Sequence, residues 1–256
     1  MTAAALGAIS RTWSVGVEVL LGMGGVAVAA IGSTRWRSAG PVPVVLAVVV
    51  GTASACLLAA NASSIAWVRG LVVAGVLLGG SAASRTDDAW GATGLPPVLY
   101  AVTAAGVFVA VPDTEEAAAL LGASVPAALA AWPFGRARLG STGAATATAL
   151  LVWVAAVGGR GRPPSIVGAA ACLGLLVTLA AGRCLARLSG WSGTPQSAPR
   201  PVMLLVAHTA VVALASRVAG VSSELEVAAP VAAAAGVAAV AGAVAGGRPV
   251  ETPAER

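Results

Sequence analysis

The recurrence of long apolar runs is the feature that most constrains the fold of this chain. Runs of about 17–25 residues, the length needed to cross a hydrocarbon core, follow one another along the 256 residues. Soluble domains carry about 25% charged residues, whereas this chain carries 10%, with a mean hydropathy of +0.90. A water-soluble fold of this size would need more charge to cover its surface. The sequence therefore predicts an all-α fold, a polytopic integral helix bundle in the cell membrane.

The breaks between apolar runs divide the chain into about nine predicted transmembrane helices. Arg, Asp, Glu, Pro and Ser cluster at the breaks, and most connections are short, so consecutive helices should be antiparallel neighbours. A single transmembrane domain with a short polar tail at 247–256 is expected. The predicted spans are approximately 13–31, 41–60, 65–83, 96–112, 117–134, 142–159, 164–182, 201–219 and 227–246.

The distribution of arginine predicts the orientation of the bundle. All 15 basic residues are arginine, and basic residues accumulate on the cytoplasmic side of membrane proteins. With the N-terminus outside and the C-terminus inside, ten of these 15 arginines fall on the cytoplasmic side. They are scattered between apolar runs and form no single patch, so the predicted partner is the lipid bilayer and not a nucleic acid.

The first predicted span contains a carboxylate, Glu18, among Val, Leu and Gly. It lies about 7.5 Å below the outer end of the span at the rise of an α-helix, where facing lipid costs on the order of a few kcal/mol. We therefore expect Glu18 to face the bundle on the side of Gly22 and Gly25. Arg69 and Arg217 lie at comparable outer depth, and Arg69 is the preferred partner. The alternatives are an ion pair that orients helices, an acid that reaches up to the interface, and a substrate or proton site.

His208 is the only histidine and lies near the middle of the eighth predicted span. Neutral imidazole can form a hydrogen bond between helices, and a group that takes up a proton at this depth can relay protons. The two hypotheses are a packing residue with satisfied hydrogen bonds and a proton relay.

Two GxxxG stretches indicate close helix packing. The first is GVLLG at 75–79 and the second is GAVAG at 242–246. Glycines at this spacing allow helix backbones to approach closely. Gly75, Gly79, Gly242 and Gly246 therefore predict either internal packing faces or contacts in a homo-oligomer or with other membrane subunits.

The sequence contains little that indicates catalysis, a cofactor or a metal. Cys56, Cys172 and Cys184 form no CxxC pair and predict neither a disulfide framework nor a metal site. GWSG at 190–193 resembles the pattern around the serine nucleophile of rhomboid-type intramembrane proteases, but it lies in the most polar predicted loop. There is no P-loop, dinucleotide fingerprint or HExxH. We predict no catalytic residue, cofactor or metal.

Two functions compete as hypotheses, and a third, an intramembrane enzyme that acts on lipids, matches the sequence least well. The first is a permease or transporter-like protein for a small apolar or lipid-like substrate, with Glu18, Arg69 and His208 lining an outward-facing cavity. The middle of the predicted spans is nearly free of polar groups, which argues against transport of a charged substrate. The alternative is a non-catalytic membrane subunit or scaffold that packs against a partner membrane protein.

Overall fold

Helices make up all the regular secondary structure in the described part of the chain. The computed structural model describes residues 13–35, 41–80, 83, 94–111, 114–131, 139–159, 163–172 and 199–218. A π-helix, Gly75–Gly79, continues the third α-helix. The α-helices of these ranges are α1 Trp13–Arg35, α2 Pro41–Ala62, α3 Ala66–Ala74, α4 Leu95–Ala110, α5 Glu115–Ala131, α6 Gly140–Gly158, α7 Pro163–Cys172 and α8 Pro199–Val218.

The all-helical prediction is confirmed for the described residues. Helices α1 to α8 lie in the first eight predicted segments, and most of their ends differ from the prediction by a few residues. The exception is α7, which is described only to Cys172, and residues 173–182 of the seventh predicted span lie outside the described residues. Proline starts several of them as expected from its fixed φ: α2 begins at Pro41, α7 begins at Pro163, and α4 has proline in its first turn. The predicted ninth span, 227–246, and the tail, 247–256, lie outside the described residues.

Two of the described helices are long and apolar enough to cross a bilayer. They are Val42–Ala62 and Gly140–Gly158, while the apolar stretches Gly16–Gly32, Ala66–Gly79 and Leu95–Ala110 are shorter. A buried core helix of a soluble protein meets the same criteria of length and composition. The predicted bundle of nine spans is therefore not established by helix length.

Helix α6 lies at the centre of the fold. It packs against α1, α2, α3, α4, α5 and α7, and against the π-helix. Seven consecutive side chains from Leu151 to Val157 are buried. Successive residues of an α-helix point in directions about 100° apart, so such a run requires neighbours on all sides.

Glycine contacts establish the relative direction of the helices around α2 and α3. Gly22 packs on Leu58, and Gly25 packs on Ser54. The residue number rises along α1 as it falls along α2, so these two helices are antiparallel. Helix α3 and the π-helix that continues it are together called the α3 segment. Contacts of Gly75 with Val152 and of Gly79 with Thr148 show in the same way that this segment is antiparallel to α6.

Contacts of α4 show that it runs parallel to both α6 and α8. Tyr100 bonds the carbonyl of Ala144 at the start of α6, and Val111 packs against Gly158 at its end. On α8, His208 lies beside Thr103, and Val212 contacts Gly106 one turn further on. Helices α4, α6 and α8 therefore point the same way, and each contact fits a chain whose consecutive helices alternate in direction.

Two neighbouring glycines of α1 provide a direct test of this packing. A methyl group at Gly25 would lie 3.1 Å from Cβ of Ser54 and even closer to its Oγ, whereas one at Gly24 would meet nothing within 4 Å. Gly25→Ala should lower the free energy of unfolding by about 1–3 kcal/mol through overpacking. Gly24→Ala should be neutral or stabilise the helix by up to about 1 kcal/mol. Thermal unfolding of both variants in detergent micelles measures the difference, and equal effects would contradict the α1–α2 packing.

Candidate functional sites

Glu18 lies on an exposed part of α1. The structure differs here from the expectation that this side chain faces the bundle: Glu18 is exposed, while Val19 and Val26 are buried. The reason is the rotation of α1 about its own axis. Gly22 and Gly25 lie on the side of α1 that contacts α2. Glu18 lies between this side and the exposed side of α1.

Helix α2 separates Glu18 from its expected partner. Arg69 is exposed on α3, and its Nε donates a hydrogen bond of 2.6 Å to the carbonyl of Ser63, just past the end of α2. Both α1 and α3 pack against α2. Within the described part of the chain, neither Glu18 nor Arg69 takes part in an ion pair. Arg217 is exposed in the last turn of α8, which packs on α4 and α7.

His208 is completely buried and forms hydrogen bonds with helix α4. Its Nε2 lies 2.8 Å from Oγ1 of Thr103 and 3.1 Å from the carbonyl oxygen of Leu99. The hydroxyl of Thr103 donates its own hydrogen to the Leu99 carbonyl at 2.8 Å. Because the hydroxyl hydrogen of Thr103 is used in this bond, the hydroxyl oxygen accepts a hydrogen bond from Nε2–H of His208. This geometry assigns the proton of the neutral imidazole to Nε2.

The second ring nitrogen of His208, Nδ1, is buried and has no hydrogen-bond partner within the described residues. With the proton on Nε2, Nδ1 carries a lone pair that accepts nothing there. Of the two sequence hypotheses, the contacts describe an interhelical hydrogen bond, and they bring no acidic side chain to the ring.

The hydrogen bond between Thr103 and His208 can be measured with a double-mutant cycle. Thr103→Val should cost about 0.5–2 kcal/mol of stability, the range for interhelical hydrogen bonds and unsatisfied donors. Thr103→Val combined with His208→Leu should cost less than the sum of the single changes, because the Leu variant leaves no buried donor. Unfolding in detergent micelles gives the coupling energy. Additive effects would show that the bond contributes nothing.

Gly75 and Gly79 pack inside the chain. A methyl group at Gly75 would lie 3.0 Å from Val152, and one at Gly79 would lie 2.9 Å from Thr148. The first GxxxG face thus packs against α6 of the same chain. These glycines also bound the π-helix, a helix form that often occurs at functional sites. Gly242 and Gly246 lie outside the described residues.

An apolar groove runs between the α3 segment and α6. Its volume is about 230 Å³. Leu71 and Leu78 form part of its wall and are partly exposed, so the groove opens on the surface of the bundle. The other lining residues are Val68, Val72, Ala74, Gly75, Val152, Ala155, Ala156 and Ile166. The groove is therefore a surface depression lined by apolar residues.

Two other polar side chains inside the bundle, Tyr100 and Trp153, differ in their hydrogen bonding. The Tyr100 hydroxyl lies 2.8 Å from Oγ1 of Thr148 and donates to the Ala144 carbonyl. The buried indole nitrogen of Trp153 has no partner within the described residues. In the same ranges, no group of three or more His, Cys, Asp or Glu side chains could hold a metal ion.

Comparisons with known proteins give no match: no family model, no curated protein and no solved structure matches this chain.

Sequence reasoning located His208 but missed its partner and the groove. Thr103 is one of several hydroxyl residues in apolar helices, and 105 positions separate it from His208. The groove consists of ordinary Val, Leu and Ala side chains, so no residue type marks it. The local sequence signal beside the groove is GVLLG, which predicts close packing and also forms the π-helix.

Proposed function

We propose that this chain is a multi-pass protein of the cell membrane, in which α1 to α8 are eight of about nine spans. The exposed surface of α2 supports this. Its apolar segment has a mean hydropathy of 2.4, yet only 33% of it is buried. Val42, Val45 and Val48 are 75%, 60% and 62% exposed. A large apolar surface of this kind is unfavourable in water and favourable against lipid tails.

The alternating direction of the helices is a second, independent support. Successive membrane spans must run in opposite directions when short loops connect them. The glycine and hydrogen-bond contacts of α1, α2, α3, α4, α6 and α8 fit this rule. The arginine distribution then favours the N-terminus outside and the C-terminus in the cytoplasm.

For activity, we propose that the protein binds and carries a small apolar or lipid-like molecule. The observation that carries this proposal is the groove between the α3 segment and α6. Its volume of about 230 Å³ exceeds the roughly 150 Å³ of a protein cavity that binds benzene. A benzene-sized molecule or part of an acyl chain therefore fits.

The chemistry of the groove supports an apolar ligand over a charged one. Its ten lining residues are all Gly, Ala, Val, Leu or Ile. Many hydroxyls of the bundle donate to carbonyls of their own helix, as Thr148 and Thr103 do. They therefore have no free hydrogen to offer a polar substrate.

The second candidate function is a non-catalytic membrane subunit or scaffold. The exposed carboxylate of Glu18 favours this second function, because a charge on an otherwise apolar helix surface can bind a polar group of a partner protein.

Narrowing the groove tests the proposed activity. Leu71→Trp and Leu78→Trp place a large ring in the groove at positions that are already partly exposed. Leu129→Trp is the matched control, because Leu129 is 71% exposed and does not line the groove. Each variant is reconstituted into vesicles that contain ceramide, a lipid without a charged headgroup, with a fluorescent NBD label. The rate at which the label crosses the bilayer is followed by dithionite quenching.

The wild-type protein and Leu129→Trp should speed crossing above protein-free vesicles. Leu71→Trp and Leu78→Trp should return the rate towards the protein-free value. A wild-type protein that gives no acceleration, or groove variants as fast as the control, would overturn the proposal that the groove carries lipid-like molecules.

A further inference from the structure

We propose that two copies of this chain pair about a twofold axis along α2, with Glu18 of each copy bound to Arg69 of the partner subunit. This interface differs from the GxxxG faces, and it does not depend on transport through the groove. Three features of the structure support it: an exposed heptad stripe on α2, two exposed opposite charges beside it, and the order of α1, α2 and α3.

The exposed side of α2 has the spacing of a helix-pairing seam. Nine residues of α2 are exposed, and six of them recur at alternating intervals of four and three, which is the repeat of two helices that supercoil together. Alanine and cysteine occupy the half near Ser63, and small residues there let two backbones approach closely. The stripe consists of Val42, Leu46, Val49, Ala53, Cys56 and Ala60.

The charges lie at the same end of this stripe, on opposite sides. Gly22 contacts Leu58, so Glu18, one turn earlier on antiparallel α1, is level with the end of α2. The guanidinium of Arg69 is tied to Ser63, immediately after α2. This bond uses only Nε, and the remaining donors of the guanidinium suit a carboxylate.

A twofold axis brings these charges together. Helix α2 contacts both α1 and α3, and all three helices pack against α6. They are therefore ordered α1, α2, α3 around α6. When α2 of one copy packs against α2 of the other about a twofold axis, α1 of each copy faces α3 of its partner. Glu18 and Arg69 then meet twice, once on each side of the apolar seam.

The opposite charges of Glu18 and Arg69 favour a second copy of this chain as the partner that covers the α2 stripe. Lipid alone would leave a carboxylate and a guanidinium beside an apolar surface, where each is costly. A contact between two α1 helices would place Glu18 against Glu18, which like charges disfavour. The arrangement along α2 pairs every charge.

Charge reversal, with mixing of variants, tests this interface. Glu18→Arg and Arg69→Glu should each weaken dimerisation at least about tenfold, which corresponds to about 1.4 kcal/mol. The double variant should restore the dimer. An equal mixture of the two single variants should also dimerise, because each copy then supplies what the other lacks. An ion pair within one chain could not be repaired by mixing.

The readout is the mass of the purified protein in detergent, measured by light scattering, together with oxidative crosslinking in vesicles. Cys56 is the native reporter on the α2 stripe, after Cys172 and Cys184 are replaced with alanine. Arg217→Glu is the control, because this exposed residue lies on α8, away from the stripe. It should leave dimer and crosslink unchanged.

The proposed interface predicts a wild-type dimer that crosslinks through Cys56, monomeric single variants, and recovery in both the double variant and the mixture. A monomeric wild-type protein in detergent and in vesicles would overturn it. Single variants that remain dimeric, or a mixture that stays monomeric, would also overturn it.

Discussion

The burial of α6 on all sides is the constraint on which the rest of the described structure depends. Its side chains from Leu151 to Val157 have no exposed face, and six helices and the π-helix surround it. Small residues make this possible. Gly75 and Gly79 let the α3 segment approach Val152 and Thr148, and the groove between the two elements is lined by Val72 and Ala155 among others. The helices that bury α6 thus also form the proposed binding site.

Polar groups are accommodated in this apolar structure mainly by their own helices. Hydroxyl groups donate to the carbonyl one turn earlier, which satisfies the donor without a partner helix. Thr52, Ser54, Thr103, Thr146, Thr148 and Thr209 all do so. Among the described residues, His208 with Thr103 and Tyr100 with Thr148 form side-chain hydrogen bonds that join helices. Close packing of glycine against neighbouring side chains also joins helices, as at Gly22, Gly25, Gly75 and Gly79.

The sequence predicted the helices well because apolar runs and the polar breaks between them determine where each helix begins and ends. It did not predict how each helix is rotated. In α1 apolar residues surround the axis, so nothing distinguishes the side of Val19, which is buried, from the side of Leu21, which is exposed. The expected inward position of Glu18 depended on that rotation. Its expected contact with Arg69 also depended on helix order, which places α2 between them.

The central claim is that consecutive helices of this chain cross a bilayer in alternating directions. It is tested most directly in intact cells, with single cysteines at Thr114 and Ser141 in a protein whose three native cysteines are replaced. These positions lie at the starts of α5 and α6, so α5 should separate them by the width of the membrane. A maleimide that cannot cross the membrane should label Thr114→Cys from outside, and Ser141→Cys only after the cells are permeabilised. Labelling of both positions from the same side would contradict the account.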